Sequence, residues 1–248
     1  VANIMRGGPG LGNIAGSQAD YFQAVKGGGH GDYRNIVLAP ASVQELAELT
    51  VLAFDLADRY RMVAMILGDG YLGQMSESLV LPQPSGSVFD KSGWALTGAS
   101  GRPPRIVYSL RLAPEDGVER INLRLQAKYR QVQAAETRFE SYRLEDAELL
   151  LVSFGLASRI CRAAVNALRE RGVRAGLLRP ITLWPFPYQA LRDAASRLKR
   201  ILVVEMNSGQ MLEDVRLAVG ERSPVEFYGR MGGMLVEVEP IVERLSRP

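Results

Sequence analysis

The sequence predicts an α/β protein with a parallel βαβ unit near its start and a doubly wound α/β domain in its C-terminal part. Three observations carry this. Between Val1 and Leu67 short apolar runs (VANIM, NIVLA, MVAMIL) flank one strongly helix-periodic stretch. From Ala147 onward, apolar runs and period-3.6 stretches alternate again. Between Pro82 and Glu145 the rhythm breaks into turn-rich pieces such as LPQPSGS, GASGRPPR and LAPEDG.

Taken in order, VANIM reads as the end of a buried strand with no preceding turn, so the chain is expected to begin inside a domain, as a fragment. After a glycine-rich turn, SQADYFQAVK reads as a short helix with Ser17 as N-cap, stopped by GGGHGDY. NIVLA is a buried strand. Ser42, with Glu45 three residues on, forms a capping box opening a helix to about Arg61. On it Val43, Leu46, Ala47, Thr50, Val51, Phe54 and Ala57 fall at helical spacing. Leu49 and Leu56 widen the stripe, so this helix should be largely covered. MVAMIL is the next strand and GDGYLGQ its C-terminal loop. Short turns joining strand, helix and strand imply parallel pairing.

In the turn-rich region only IVYSLRL and the charged stretch Val118 to Tyr142 look regular, and the latter reads as a long solvated helix whose alternating charges mark a wet face. This gives units at 1–84, 85–145 (a connector) and 146–248. In the last unit ELLLVSF is a strand, ASRICRAAVNALRERG a helix ended by Gly172, and VRAGLLRP a strand. A helix with Pro187 near its first turn, the strand ILVVEM, a helix ended by Gly220 and the strand PVEFYG follow. A ligand or partner surface should lie at the C-terminal strand ends FGLAS, LRPITLWPFP, EMNSGQ and YGRMGG.

Composition narrows the function. The 248 residues are 47% apolar and 23% charged, the make-up of a soluble globular protein. No uninterrupted apolar run of about 18 residues predicts a membrane span, and no signal peptide is legible, so a cytoplasmic location is expected. A net charge of +3 with both signs mixed gives no surface built for nucleic acid. The single cysteine, Cys161, excludes an internal disulfide or a cluster ligated by this chain's thiolates alone. Its apolar spacing with Ala164, Val165 and Leu168 marks a core residue rather than a nucleophile.

GGPGLGN lacks the Lys-Ser/Thr of a P-loop and misses the G-x-G-x-x-G register. Arg6 emerges where a parallel strand meets its ligand crevice; a guanidinium there can grip a carboxylate through two hydrogen bonds, or serve a structural ion pair. Gly68–Asp69–Gly70 resembles the start of the motif that holds magnesium and thiamine diphosphate. The asparagine pair that this motif requires is missing from SGWALTGASG, so Asp69 reads as a turn or helix-capping residue. His30, the only histidine, is a hydrogen-bonded structural residue or, with Asp32 beside it, a supporting or interface residue. No metal site assembles from one histidine and one cysteine, and no hydrolase triad is present. RPITLWPFP, with Trp184 and Phe186, is either a loop closing its own core or a subunit contact. Glu205, Asn207 and Gln210 surround a helix N-terminus where a polar partner or anion could be held.

MRGGPGLGN, SQADYFQAVKGGGHGDY, LAPASVQE, LGDGYLGQM, RPITLWPFP, VEMNSGQM and FYGRMGGM, in this order, resemble the α subunit of the 2-oxoacid:ferredoxin oxidoreductases, in particular the branched-chain, 2-oxoisovalerate type. The resemblance covers nearly the full chain apart from the connector. It implies the C-terminal part of a pyrimidine-type thiamine-diphosphate-binding α/β domain (1–84), then a transketolase C-terminal-like α/β/α domain (146–248). It further implies a hetero-oligomer that converts 2-oxo acids and coenzyme A to acyl-CoA and carbon dioxide while reducing ferredoxin. A β subunit would hold magnesium and the diphosphate, with iron–sulfur clusters on other subunits, γ and δ among the partners. Arg6 matches the arginine that contacts the substrate carboxylate, and Gly7 and Gly8 form the adjoining pocket wall. His30, Asp32, Asn207 and Gln210 are left with supporting or interface roles. The family's glutamate that protonates the aminopyrimidine, and a hydroxyl residue beside the substrate, would lie upstream of Val1. The isolated chain is therefore expected not to turn over 2-oxo acids.

Overall fold

The apolar opening forms strand β1 (Ala2–Met5), and the computed structural model describes residues 1–105 and 117–246. Helix α1 (Tyr21–Val25) follows the glycine-rich turn. Ser17 does not cap it: the residue before the helix is Asp20, whose side chain makes no cap bond. The Ser17 hydroxyl instead donates to the Met206 carbonyl at 3.2 Å. Strand β2 (Ile36–Leu38), helix α2 (Val43–Tyr60) and strand β3 (Ala64–Asp69) form the expected βαβ unit, with β2 and β1 both parallel to β3.

The capping box holds at the start of α2, where the Ser42 hydroxyl accepts from Glu45 N at 3.1 Å. The Glu45 carboxylate reaches back to Ala41 N at 2.8 Å, one residue beyond the usual partner. The expectation that α2 is largely covered is corrected. Leu49, Ala53 and Leu56 are buried, whereas Phe54 is 73% exposed. Apolar residues wrap most of this helix, and only docking on the sheet decides which stripe goes inside. GDGYLGQ is likewise not a loop: Gly70–Gln74 form helix α3, and the buried Asp69 caps it by accepting from Tyr71 N and Leu72 N at 3.0 Å each.

Residues 76–105 contain neither helix nor strand, and IVYSLRL lies outside the described residues. The charged stretch becomes helix α4 (Gly117–Glu136), which buries Tyr129, Val132 and Glu136. It does not continue to Tyr142. Phe139–Tyr142 form strand β4, antiparallel to strand β6 (Ala175–Pro180), because extended pairing with a sheet edge outcompetes a helical tail there.

Strand β5 (Leu149–Val152), helix α5 (Gly155–Glu170), β6, strand β7 (Thr182–Trp184), helix α6 (Tyr188–Ala195), strand β8 (Arg200–Glu205), helix α7 (Gln210–Val219), strand β9 (Val225–Gly229) and helix α8 (Val238–Ser246) complete the chain. The second sheet has the order β4-β6-β5-β8-β9, parallel throughout except for β4. Alternate residues of each central strand serve opposite faces. Leu151, Leu202 and Val204 pack with Cys161, Val165 and Ile241 of α5 and α8. Leu150, Val152, Ile201 and Val203 pack with Leu191, Met211 and Val215 of α6 and α7. This is the doubly wound arrangement read from the sequence. Burial pushes the Cys161 thiol up to about 12, which suits a core residue and leaves no reactive thiolate.

The second face shares its core with the first sheet, whose Ile36, Leu38 and Leu67 belong to the same apolar cluster together with Leu56 of α2. RPITLWPFP makes the join. Its residues Thr182–Trp184 are β7, antiparallel to β2, and the first sheet therefore runs β1-β3-β2-β7. Trp184 and Phe186 are buried within the chain, with Tyr129 edge-on to Trp184 at 5.6 Å, so this segment closes its own core rather than awaiting a partner.

Candidate functional site

In the second sheet the strand order reverses between β5 and β8, and the crevice at their C-terminal ends is where open α/β sheets hold ligands. Here the chain itself fills it. The Gln18 side chain, fully buried, donates from Nε2 to the Phe154 carbonyl at 2.8 Å and accepts from Met206 N at 2.9 Å. Gln18 N also donates to the Met206 carbonyl at 3.0 Å. Asn207 returns the contact, donating from Nδ2 to the Gln18 carbonyl at 2.8 Å. Nothing in SQADYF singles out Gln18, since a glutamine in a polar stretch reads as solvated; only the distant strand ends give it partners.

The N-terminus of α7, expected to suit an anion or polar partner, is occupied internally. Glu205 accepts from Met211 N and Leu212 N at 2.9 and 3.0 Å, and Asn207 Oδ1 accepts from Gly209 N and Gln210 N at 2.7 and 3.1 Å. Burial pushes the Glu205 carboxyl up to about 7, against the opposing pull of its N–H donors and Asn207, and the nearby Asp214 charge raises it further. The folded chain thus keeps this proton where the unfolded chain, titrating near 4.5, has lost it. Stability is therefore expected to fall as the pH rises from 4.5 to about 7, by up to about 3 kcal/mol. Denaturant titrations across this window should show the decline, and Glu205→Gln should flatten it.

Gln210 ties α7 to the start of α1 by donating to the Ala19 carbonyl at 2.7 Å and accepting from Phe22 N at 2.8 Å. Asn207 and Gln210 thus stand at a seam between the two sheets of this chain. His30 is exposed among glycines, and Asp32 lines a separate cleft with Arg34, Glu119 and Gln126 against α4.

The glycine turn forms the other wall of the seam. Arg6 bridges to Gly16 at the end of β1, and its exposed guanidinium donates from Nη1 to the carbonyls of Leu11 and, at 3.3 Å, Asn13. Arg6 therefore lies on its own turn, neither in an ion pair nor in the core. Gly7 is buried; its N–H donates to the Ala15 carbonyl and its carbonyl accepts from Asn13 N, both at 2.8 Å. A Cβ on Gly7 would meet Asn13 Oδ1 at 2.5 Å, so the turn has no room for a side chain there. Gly8 has open space around it. Gly8, Pro9, Ala19, Asp20, Asn207, Gln210 and Met231 help line a cavity of about 360 Å³. The structure thus gathers Gly8, Asn207 and Gln210 at one cavity, with Gly7 and Arg6 in the adjoining turn. Leu11 (89%), Ile14 (84%), Met231 (63%) and Met234 are exposed on the turn and on the loop after β9, which Asn13 links. Exposed apolar side chains on two linked loops suit coverage by another protein surface. Asp69 is spent on its cap, and among the described residues no group of three His, Cys, Asp or Glu side chains could hold a metal.

A β-α-β sheet with a glycine turn, joined to a doubly wound sheet, defines a two-part α/β protein with its candidate site at the seam, and sequence comparison supplies the family. Residues 1–135 match the family described as pyruvate flavodoxin/ferredoxin oxidoreductase, thiamine diP-bdg, and residues 147–241 match pyruvate:ferredoxin oxidoreductase core domain II. Ketoisovalerate oxidoreductase subunit VorB of Methanothermobacter marburgensis is 48% identical over 99% of this chain and 69% of its own length. The 2-oxoglutarate synthase subunit KorA of Methanothermobacter thermautotrophicus is 33% identical over all of this chain and 72% of its own. The structure of 2-oxoglutarate:ferredoxin oxidoreductase from Magnetococcus marinus with 2-oxoglutarate, coenzyme A and succinyl-CoA bound superposes with a TM-score of 0.83 at 25% identity. It covers 99% of this chain, which spans about half (48%) of the solved chain. The chain belongs to the 2-oxoacid:ferredoxin oxidoreductase family, in its α-subunit branch, with likeness to the ketoisovalerate type.

Proposed function

We propose that the chain is one subunit of a thiamine-diphosphate-dependent complex that oxidatively decarboxylates 2-oxo acids, 2-oxoisovalerate foremost, to acyl-CoA and carbon dioxide while reducing ferredoxin. The observation that carries this reading is the exposed guanidinium of Arg6 on a glycine turn beside a cavity, rimmed by apolar side chains open to a neighbouring subunit. In this reading Arg6 binds the substrate carboxylate and orients the bond to be broken, and Gly7 and Gly8 let backbone approach cofactor and substrate closely. Bound thiamine diphosphate would supply the electron sink for decarboxylation. Magnesium and the diphosphate are assigned to a β subunit, in keeping with the commitment of Asp69 to α3. Iron–sulfur clusters, ferredoxin docking and most coenzyme A contacts are assigned to other subunits, γ and δ among them. His30 and Asp32 are assigned supporting or interface roles, and the units remain 1–84, 85–145 and 146–248, in the cytoplasm. No described helix is long and apolar enough to cross a membrane.

The test is ferredoxin or dye reduction by the assembled complex with coenzyme A and 2-oxoisovalerate, pyruvate or 2-oxoglutarate in turn. The branched substrate should give the highest kcat/KM. Arg6→Ala should raise the KM for it by about 10- to 100-fold, the loss of one charge-assisted carboxylate contact. Unchanged kinetics in Arg6→Ala would favour a subunit-assembly role without substrate contact.

A further inference from the structure

We propose that Asn13 is a positioning residue that sets the direction of the Arg6 guanidinium by fastening the arginine-bearing turn to the loop after β9. The proposal rests on the reading of Arg6 as the carboxylate-binding group. Asn13 touches every part of this device. Its carbonyl accepts from Arg6 Nη1 at 3.3 Å, and its N–H donates to the Gly7 carbonyl at 2.8 Å. Its side-chain Oδ1 accepts from Ala15 N at 3.1 Å, closing the turn on itself, while Nδ2 donates to the Gly232 carbonyl at 2.9 Å, across to the second sheet's loop.

The glycines around it are explained by the same contacts. A Cβ on Gly7 would lie 2.5 Å from Asn13 Oδ1, and one on Gly233 would lie 3.1 Å from it. Gly12 takes φ +57, where a Cβ would strike the Gly7 carbonyl. The partner loop is held from a second side, because the Tyr71 hydroxyl, next to the Asp69 cap, donates to the Gly233 carbonyl at 2.5 Å. Two adjacent carbonyls of one loop are thus gripped by side chains from the first sheet's side, Asn13 in the glycine turn and Tyr71 in α3. Asn13 is the only one of the two that also bonds Arg6. An arginine on an exposed glycine turn would otherwise sample many directions; anchoring the carbonyl it bonds to narrows them before substrate arrives.

The experiment is a double-mutant cycle in the assembled complex, reading KM for the 2-oxo acid separately from kcat and from KM for coenzyme A. Asn13→Ala is expected to raise the 2-oxo acid KM by about three- to tenfold, the worth of a net hydrogen bond, with KM for coenzyme A unchanged. In an Arg6→Ala background the same substitution should add nothing, since its effect passes through the guanidinium. If Asn13→Ala fails to assemble, Asn13→Ser puts the same question without adding charge, since its hydroxyl can still accept from Ala15 N but is too short to donate to the Gly232 carbonyl. A raised KM in Arg6→Ala with no change in the Asn13 variant overturns the proposal and leaves the pocket intact. An Asn13 effect that persists without Arg6 also overturns it. No change in Arg6→Ala removes the pocket reading and the proposal together.

Discussion

Gln18→Ala is expected to destabilise the protein by about 3–5 kcal/mol and to separate its unfolding into two steps. The side chain is 0% exposed and satisfies one buried acceptor and one buried donor, the Phe154 carbonyl and Met206 N, at the point where β5 and β8 part. Alanine leaves Met206 N without a partner, at about 1–3 kcal/mol, removes a second bond from the Phe154 carbonyl, which still accepts within α5 as its N-cap residue, and opens a cavity that the packed seam closes only in part. Gln18→Met separates the two contributions: it keeps most of the volume, so a loss nearly as large as alanine's assigns the cost to the hydrogen bonds. Gln18→Glu should be no better, since it sets a carboxylate oxygen against the Phe154 carbonyl. Urea unfolding followed by fluorescence and by far-UV circular dichroism should coincide for the wild type and diverge for the variant, because this seam couples the two sheets. A variant within about 0.5 kcal/mol of wild type, with coincident transitions, would mean that the shared apolar core alone joins them.

What could be read from the sequence follows from where each signal originates. Strands β5, β6 and β8 are buried on both faces and stand out as continuous apolar runs. The Ser42 and Asp69 caps and the ends of α5 and α7 depend on residues within one turn, so they too were legible. Strands β4 and β7 were not: FESY has little apolar character, and TLW is short and flanked by prolines. Each is a strand only because an edge of a sheet stands ready to pair with it. Helix α8 carries no clear sequence signal because Pro240 lies in its first turn, which is permitted there but reads as a break. At the site, Arg6 and the glycines were legible as chemistry. Gln18, Asn13 and Asp214 were not, because each draws its role from residues far along the chain.

Asp214→Ala is expected to cost about 3–5 kcal/mol as well, through a different route. On sequence Asp214 looks like a polar position of an amphipathic helix, yet it is 1% exposed. Its carboxylate accepts from the Tyr21 hydroxyl at 2.6 Å, from Lys26 Nζ at 2.6 Å and from the Tyr188 hydroxyl, drawing α1 and α6 onto α7. Burial, then this carboxylate, drive the Tyr21 hydroxyl well above its usual value, so Tyr21 remains a neutral donor. Alanine strands that buried hydroxyl and leaves Lys26 without its counter-charge. Asp214→Asn keeps an acceptor for Tyr21 and should lose less than half as much. The same substitution removes the charge that helps to raise Glu205, so the Glu205 carboxyl should titrate nearer its ordinary value. The fall in stability with rising pH should then still begin near 4.5, set by the unfolded chain, but end lower and be smaller in total in Asp214→Asn than in the wild type. Melting temperatures of both proteins, measured across that window, decide the point. An unchanged pH profile would show that burial alone sets the Glu205 proton, with no electrostatic link along α7.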